Sequence, residues 1–213
     1  MIKEILPYLN FTQLFVVLTF GYFLIYFNSK KLHQQIVLAL LALSFTVELL
    51  DLILLLLKKE ILIGIVYSVT ALLFNSLWLL LLYSIAKRKY IKILLNYYMF
   101  FALLNLFFGE GLKYFNHFTF ILGALLYLGI FIKESFSHLQ NENLTLFLSN
   151  GYLLLVCPVI FMLGYSILIS FNSRIINSTI VCSGISLYNV IGYFINSIYY
   201  ALLLVYCYRE KKL

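Results

Sequence analysis

Long apolar runs alternate with short polar breaks along the whole chain. A bilayer core is crossed by a helix of about 20 mostly apolar residues. Seven runs reach or approach that length, at 9–27, 36–57, 61–86, 91–109, 115–132, 152–170 and 180–206. Three of the breaks are plain in the sequence: Asn28-Ser-Lys-Lys, Lys58-Lys-Glu and Lys87-Arg-Lys. The runs are Leu-rich and lack the alternation of a membrane strand, so helices are expected and strands are not. The fifth run is short and contains glycine. The seventh is longer than one crossing needs, so it is expected to tilt or to start outside the lipid. The pattern therefore predicts an all-α polytopic membrane protein, a single bundle of about seven transmembrane helices over 1–213. The longest linker, 133–150, leaves no room for a soluble domain.

Composition strengthens this reading. Of 213 residues 64% are hydrophobic and 11% charged, and mean hydropathy is +1.02. Ordinary soluble domains are roughly 45–50% apolar and about 25% charged. The difference excludes a cytosolic enzyme, a secreted disulfide scaffold and a nucleic-acid-binding domain. Cys157, Cys182 and Cys207 form neither a disulfide framework nor a metal-binding spacing. The first run has no small-residue cleavage site behind it and is read as a retained helix.

The net charge of +7 is informative through its placement. With seven spans, Lys3, Lys58, Lys59, Lys113 and Arg174 fall on one side. Lys30, Lys31, Lys87, Arg88, Lys89, Lys92, Lys133, Arg209, Lys211 and Lys212 fall on the other. Basic residues concentrate on the cytoplasmic side. The expected topology is N-terminus out and C-terminus in.

Glu48 and Asp51 stand inside the second run, three residues apart, and so share a helix face with Ser44. A mid-span carboxylate costs roughly 2.5–3.5 kcal/mol to insert, so two cost about 5–7 kcal/mol. The sixteen large apolar residues of the same run offset about that amount. No Lys or Arg lies mid-span to pair with them. Two ionised carboxylates one turn apart would repel strongly in low dielectric. The pair can bind a cation or amine, exchange a proton, or serve as neutral hydrogen-bonded glue between helices.

Other runs carry polar stripes at helical spacing: Gly64, Ser68, Ala71, Asn75 and Trp78; Tyr98, Ala102, Asn105 and Gly109; and Cys182, Ser186, Asn189, Tyr193, Asn196 and Tyr200. The first run offers Thr12, Phe15, Thr19, Tyr22 and Tyr26. Lipid offers polar groups no partner, so these faces are expected to point inward, either around a polar cavity or in helix packing. The candidate ligand- or ion-binding residues are Glu48, Asp51, Ser44, Asn75, Asn105, Asn189, Tyr193 and Asn196. Pro158 is expected to kink the sixth helix.

Several activities are excluded by what is missing. His33, His117 and His138 lie in linkers or at span edges, so no mid-span pair can hold a haem. No lysine in the seventh run can form a retinal Schiff base. Ser183-Gly184 has no intramembrane histidine to activate the serine. A two-carboxylate hydrolase would need acids on two elements, and Glu48 and Asp51 share one. No catalytic residue, metal or cofactor is implied.

Three segments carry a resemblance: Ser44-Phe-Thr-Val-Glu48, Asn75-Ser-Leu-Trp, and Asn189-Val-Ile-Gly-Tyr-Phe-Ile-Asn196-Ser-Ile-Tyr-Tyr200 with its short basic tail. The chain resembles small seven-helix bacterial integral membrane proteins often encoded beside sensor histidine kinases. The resemblance implies a multi-pass protein of the bacterial inner membrane. Its implied partners are the lipid bilayer and a membrane protein such as a sensor kinase. Asp51 is not a feature of that group. The expected function is non-enzymatic: a membrane-embedded sensor or accessory subunit that acts through a partner. The alternatives are a small transporter or channel using Glu48 and Asp51 and, below it, an intramembrane hydrolase.

Overall fold

The computed structural model describes residues 11–27, 31–111, 115–171, 176, 178–182 and 184–212. Leu9 and Asn10 of the first predicted span, Ser183 of the seventh, and Lys3, Lys30, Lys113 and Arg174 of the charge count lie outside them. The described elements are α1 (Phe11–Tyr26), α2 (Leu32–Leu56), α3 (Glu60–Ala86), α4 (Lys89–Phe108), α5 (His117–Gln140), α6 (Leu144–Leu148), α7 (Asn150–Ser170), a hairpin of β1 (Ile180–Cys182) and β2 (Ile185–Ser186), and α8 (Leu187–Lys212).

Six of these helices, α2, α3, α4, α5, α7 and α8, are long and apolar enough to cross a bilayer. That is what a multi-pass membrane protein requires. The described part of α1 is apolar but shorter, at 16 residues. At 1.5 Å per residue it spans about 24 Å, less than the ~30 Å of a hydrocarbon core.

The helices close into a ring: α1 meets α2, α2 meets α3, α5 meets α7, and α8 lies against both α7 and α1. The most enclosed element is α3, which touches α2, α4, α5 and α7. Helical periodicity decides what is hidden. On α4, Ile91, Leu95, Tyr98, Ala102 and Leu106 are buried, at spacings of four and three. Tyr97, Phe100, Leu103, Phe107 and Phe108 on its other face are exposed. An outer surface this apolar suits lipid rather than water.

The middle of the bundle is aromatic. Trp78, Tyr127 and Tyr199 are essentially inaccessible. Trp78 meets Tyr127 edge-on at 6.3 Å and Tyr199 at 6.2 Å. Phe161 joins the group at 5.0 Å from both Phe74 and Tyr199. Such offset and edge-to-face pairs favour one fixed arrangement of rings.

One end of the bundle is tied by two carboxylates, Glu134 buried and Glu210 half-buried. Glu210 of α8 accepts from Lys31 Nζ at 3.0 Å, Gln34 Nε2 at 2.9 Å and Asn150 Nδ2 at 2.8 Å, joining α2, α7 and α8. Glu134 of α5 accepts from the Tyr90 hydroxyl and pairs with Arg88 Nε at 3.5 Å. At this end Lys87 ends α3 in the left-handed conformation, with φ 55. A left-handed residue is a common helix stop, and a lysine there places positive charge beside the last carbonyls.

Three expectations are corrected. The fifth helix does not stop at 132 but runs to Gln140, taking Lys133, Glu134 and His138 out of the linker. Glu134 extends it because the buried carboxylate finds Tyr90 and Arg88 at the start of α4, while Lys133 sits over the Tyr90 ring at 4.2 Å. The seventh helix does not begin at 180, because Ile180–Cys182 and Ile185–Ser186 form an antiparallel hairpin where no strand was expected. Gly184, at φ +87, makes the turn, and β-branched Ile180, Val181 and Ile185 favour extended backbone. Ser186 then caps α8: its hydroxyl accepts from the Asn189 amide at 3.4 Å, so the helix starts at Leu187. Finally, the linker at 133–150 is largely helical, since α6 (Leu144–Leu148) follows the end of α5. Pro158 lies inside α7, which runs unbroken from Asn150 to Ser170.

Candidate functional site

At the end of the bundle opposite Glu210 and Glu134, a cavity of about 550 Å³ opens between α1, α2, α3, α5, α7 and α8. Its walls are the first turns of α1 and α5, the first halves of α3 and α8 and the second halves of α2 and α7. It reaches as deep as Ser44 on α2 and Tyr200 on α8, near the middle of both helices. Phe74 and Phe161 form its floor, and the buried Trp78–Tyr127–Tyr199 group lies behind them.

Five of the eight residues singled out in the sequence line this cavity: Ser44, Glu48, Asn189, Tyr193 and Asn196. They come from two helices, α2 and α8, that are distant in sequence. Glu48 accepts a side-chain hydrogen bond from Gln13 of α1. Asn196 Nδ2 donates to the Tyr165 hydroxyl at 2.7 Å and reaches Thr12 Oγ1 at 3.4 Å, tying α8 to α7 and α1. Tyr200 is hydrogen-bonded to Ser44 across the gap between α8 and α2.

Asp51 sits one turn beyond Glu48 and does not line the cavity itself. It accepts a hydrogen bond from Tyr67, which does. The two acids thus occupy different positions: Glu48 faces the cavity, and Asp51 holds one of its tyrosines.

Asn75 and Asn105 lie elsewhere. Asn75 is fully buried between α3, α4 and α5, where its Nδ2 contacts Tyr98 Oη at 3.3 Å and the Phe120 carbonyl at 3.2 Å. Asn105 organises the loop between α4 and α5. Its Nδ2 donates to Glu110 Oε2 at 2.7 Å and Thr119 Oγ1 at 3.0 Å. Glu110 in turn accepts from the amides of His117 and Phe118 at 3.0 and 3.1 Å, which caps α5. A carboxylate at a helix N-terminus satisfies orphan donors and meets the positive end of the helix dipole.

The structure adds cavity residues that the sequence pattern left unmarked: Tyr67, Phe74, Tyr165, Tyr188, His117 and Phe161. One of them carried a usable signal. α2 and α3 are joined by a tight turn around Lys58, so residues at similar distances on either side of it face each other. Asp51 and Tyr67 are such a pair. Tyr165 and Phe161 had no equivalent signal, because α7 carries no charged residue along its apolar run.

Chemically, the cavity offers hydrogen-bonding groups on apolar, aromatic walls, the usual make-up of a small-molecule site. No Lys or Arg is among the described residues that line it. Among the described residues no group of three His, Cys, Asp or Glu is placed to hold a metal ion. Cys157 and Cys207 are buried free thiols. No family model, curated protein or solved structure matches the chain.

Proposed function

We propose that this chain is a non-enzymatic, seven-span protein of a bacterial inner membrane, with its N-terminus out. Its outward-facing cavity binds a small ligand, and a partner membrane protein, such as a sensor kinase, reads the occupancy. One observation carries this reading: the cavity is blind. The Phe74–Phe161 floor and the aromatic group behind it fill the middle of the bundle, and the Glu210 and Glu134 networks tie its far end. A site closed on one side suits binding without passage.

α8 supplies the coupling. Tyr188, Asn189, Tyr193 and Asn196 near its start line the cavity, and Glu210 near its end joins α2 and α7. A ligand that favours one position of α8 biases the contacts at the cytoplasmic end, and a partner helix bound there can follow that bias.

The second reading, a transporter or channel, draws on Glu48, a carboxylate at the cavity wall in mid-membrane. Proteoliposome flux separates the two. The purified protein is reconstituted with Na⁺, K⁺ or proton gradients and internal ion-sensitive dyes. No flux above empty liposomes is expected. Flux that Glu48→Gln abolishes would put the transporter first.

A further inference from the structure

We infer that the ligand of this cavity is an organic monocation, an ammonium carried on an apolar body, with Glu48 as its counter-charge. The inference rests on the reading of the cavity as a binding site. It adds the sign of the charge and the chemical class.

Three features of the wall point the same way. The first is charge: among the described residues that line the cavity, Glu48 is the one Asp or Glu, and there is no lysine or arginine to neutralise it. The nearby Asp51 is engaged by Tyr67, so it does not substitute for Glu48 on the cavity side. A buried carboxylate is costly in a membrane unless something compensates it. The Gln13 amide supplies a hydrogen bond but no positive charge. A cationic ligand supplies that charge.

The second feature is the aromatic lining. Tyrosines and phenylalanines from α3, α5, α7 and α8 face the same space. The negative faces of such rings attract a cation, most strongly one that water solvates poorly, such as a quaternary ammonium. The faces of the same rings repel an anion. The third feature is size. About 550 Å³ is far more than a hydrated metal ion needs and lies in the range of small-molecule sites. Among the described residues, no three His, Cys, Asp or Glu side chains are placed to form a metal cage.

The test uses full-length protein in nanodiscs of zwitterionic phosphatidylcholine, with empty nanodiscs as the blank. Radiolabelled phenyltrimethylammonium is the probe in equilibrium dialysis, and its uncharged isostere tert-butylbenzene is the competitor. Saturable binding at one site per chain is expected, with weak competition by the isostere. Glu48→Gln should weaken binding about tenfold or more, and Tyr193→Leu by about threefold to tenfold. Glu48→Asp, which keeps the charge, should stay within a few-fold of the parent. It decides the matter if Glu48→Gln does not elute as a folded protein. If the probe binds but the Glu48 variants match the parent and tert-butylbenzene competes equally, the cation inference is overturned while the cavity remains a binding site. If neither compound binds saturably, both readings fall.

Discussion

Gly123 of α5 and Asn75 of α3 interlock: a Cβ built on Gly123 would lie 2.3 Å from Asn75 Nδ2 and 2.8 Å from its Cβ. No side chain fits there without parting the two helices. Close approach is what lets the Asn75 amide reach the Phe120 carbonyl of α5. Small residues at helix crossings commonly have this role in membranes.

Gly123→Ala should therefore cost about 1–3 kcal/mol, the usual range for overpacking a filled core. A lowered unfolding midpoint in detergent would show it. Gly164→Ala is a gentler case. Its Cβ would meet Ile195 Cδ1 at 2.7 Å, the movable end of a side chain. The added variant Ile195→Ala should recover much of that loss. A Gly123→Ala protein as heat-resistant as the parent would contradict the packing described for α3 and α5.

Glu210 offers a second test. Its carboxylate receives donors from Lys31, Gln34 and Asn150, and Gln34 is 2% exposed. Glu210→Ala removes an acceptor from those amides, and each donor left unsatisfied costs about 1–3 kcal/mol. Glu210→Gln keeps an acceptor oxygen and should fall between the two. The ordering parent, Gln, Ala in thermal unfolding is the expected result. Equal midpoints for all three would mean that the tie contributes nothing.

Topology can be read with impermeant thiol reagents. In a background with Cys157, Cys182 and Cys207 replaced by alanine, single cysteines are placed at Lys59, Lys89 and Asn141. All three positions are exposed at helix ends. Lys59→Cys should label in intact cells. Lys89→Cys and Asn141→Cys should label only after permeabilisation. The ten-to-five distribution of basic residues motivates the direction. Identical labelling at all three sites would refute the arrangement, and the reverse pattern would refute the orientation alone.

The helical architecture was legible because lipid imposes a simple rule: about 20 apolar residues per crossing, with charges between. α2, α3, α4 and α7 follow it closely. The end of α5 was not legible, because Glu134 and Lys133 look like linker residues until Tyr90 and Arg88 are placed beside them. Nor was the start of α8, because Ile180–Cys182 is apolar enough to read as membrane helix. Only the Gly184 turn and the Ser186 cap separate it. For the site, the stripe on α8 and the acid on α2 were visible as periodic polar positions. Asn75 and Asn105 show the same spacing, yet they face α4 and α5 rather than the cavity. Spacing identifies an inward face, but the neighbouring helices decide whether that face meets space or side chain.

α8 is the stave that closes the ring, since it lies against both α7 and α1. Helices enter a membrane in chain order, so α1 through α7 are in place while the gap that α8 fills is still open. During that interval Thr12 and Tyr165 lack the Asn196 amide that joins them. The cavity has no completed wall to hold a ligand. Assembly of this bundle therefore passes through a stage in which these polar groups await their final partner. Arrival of the final helix ends that stage and completes the cavity wall in one step.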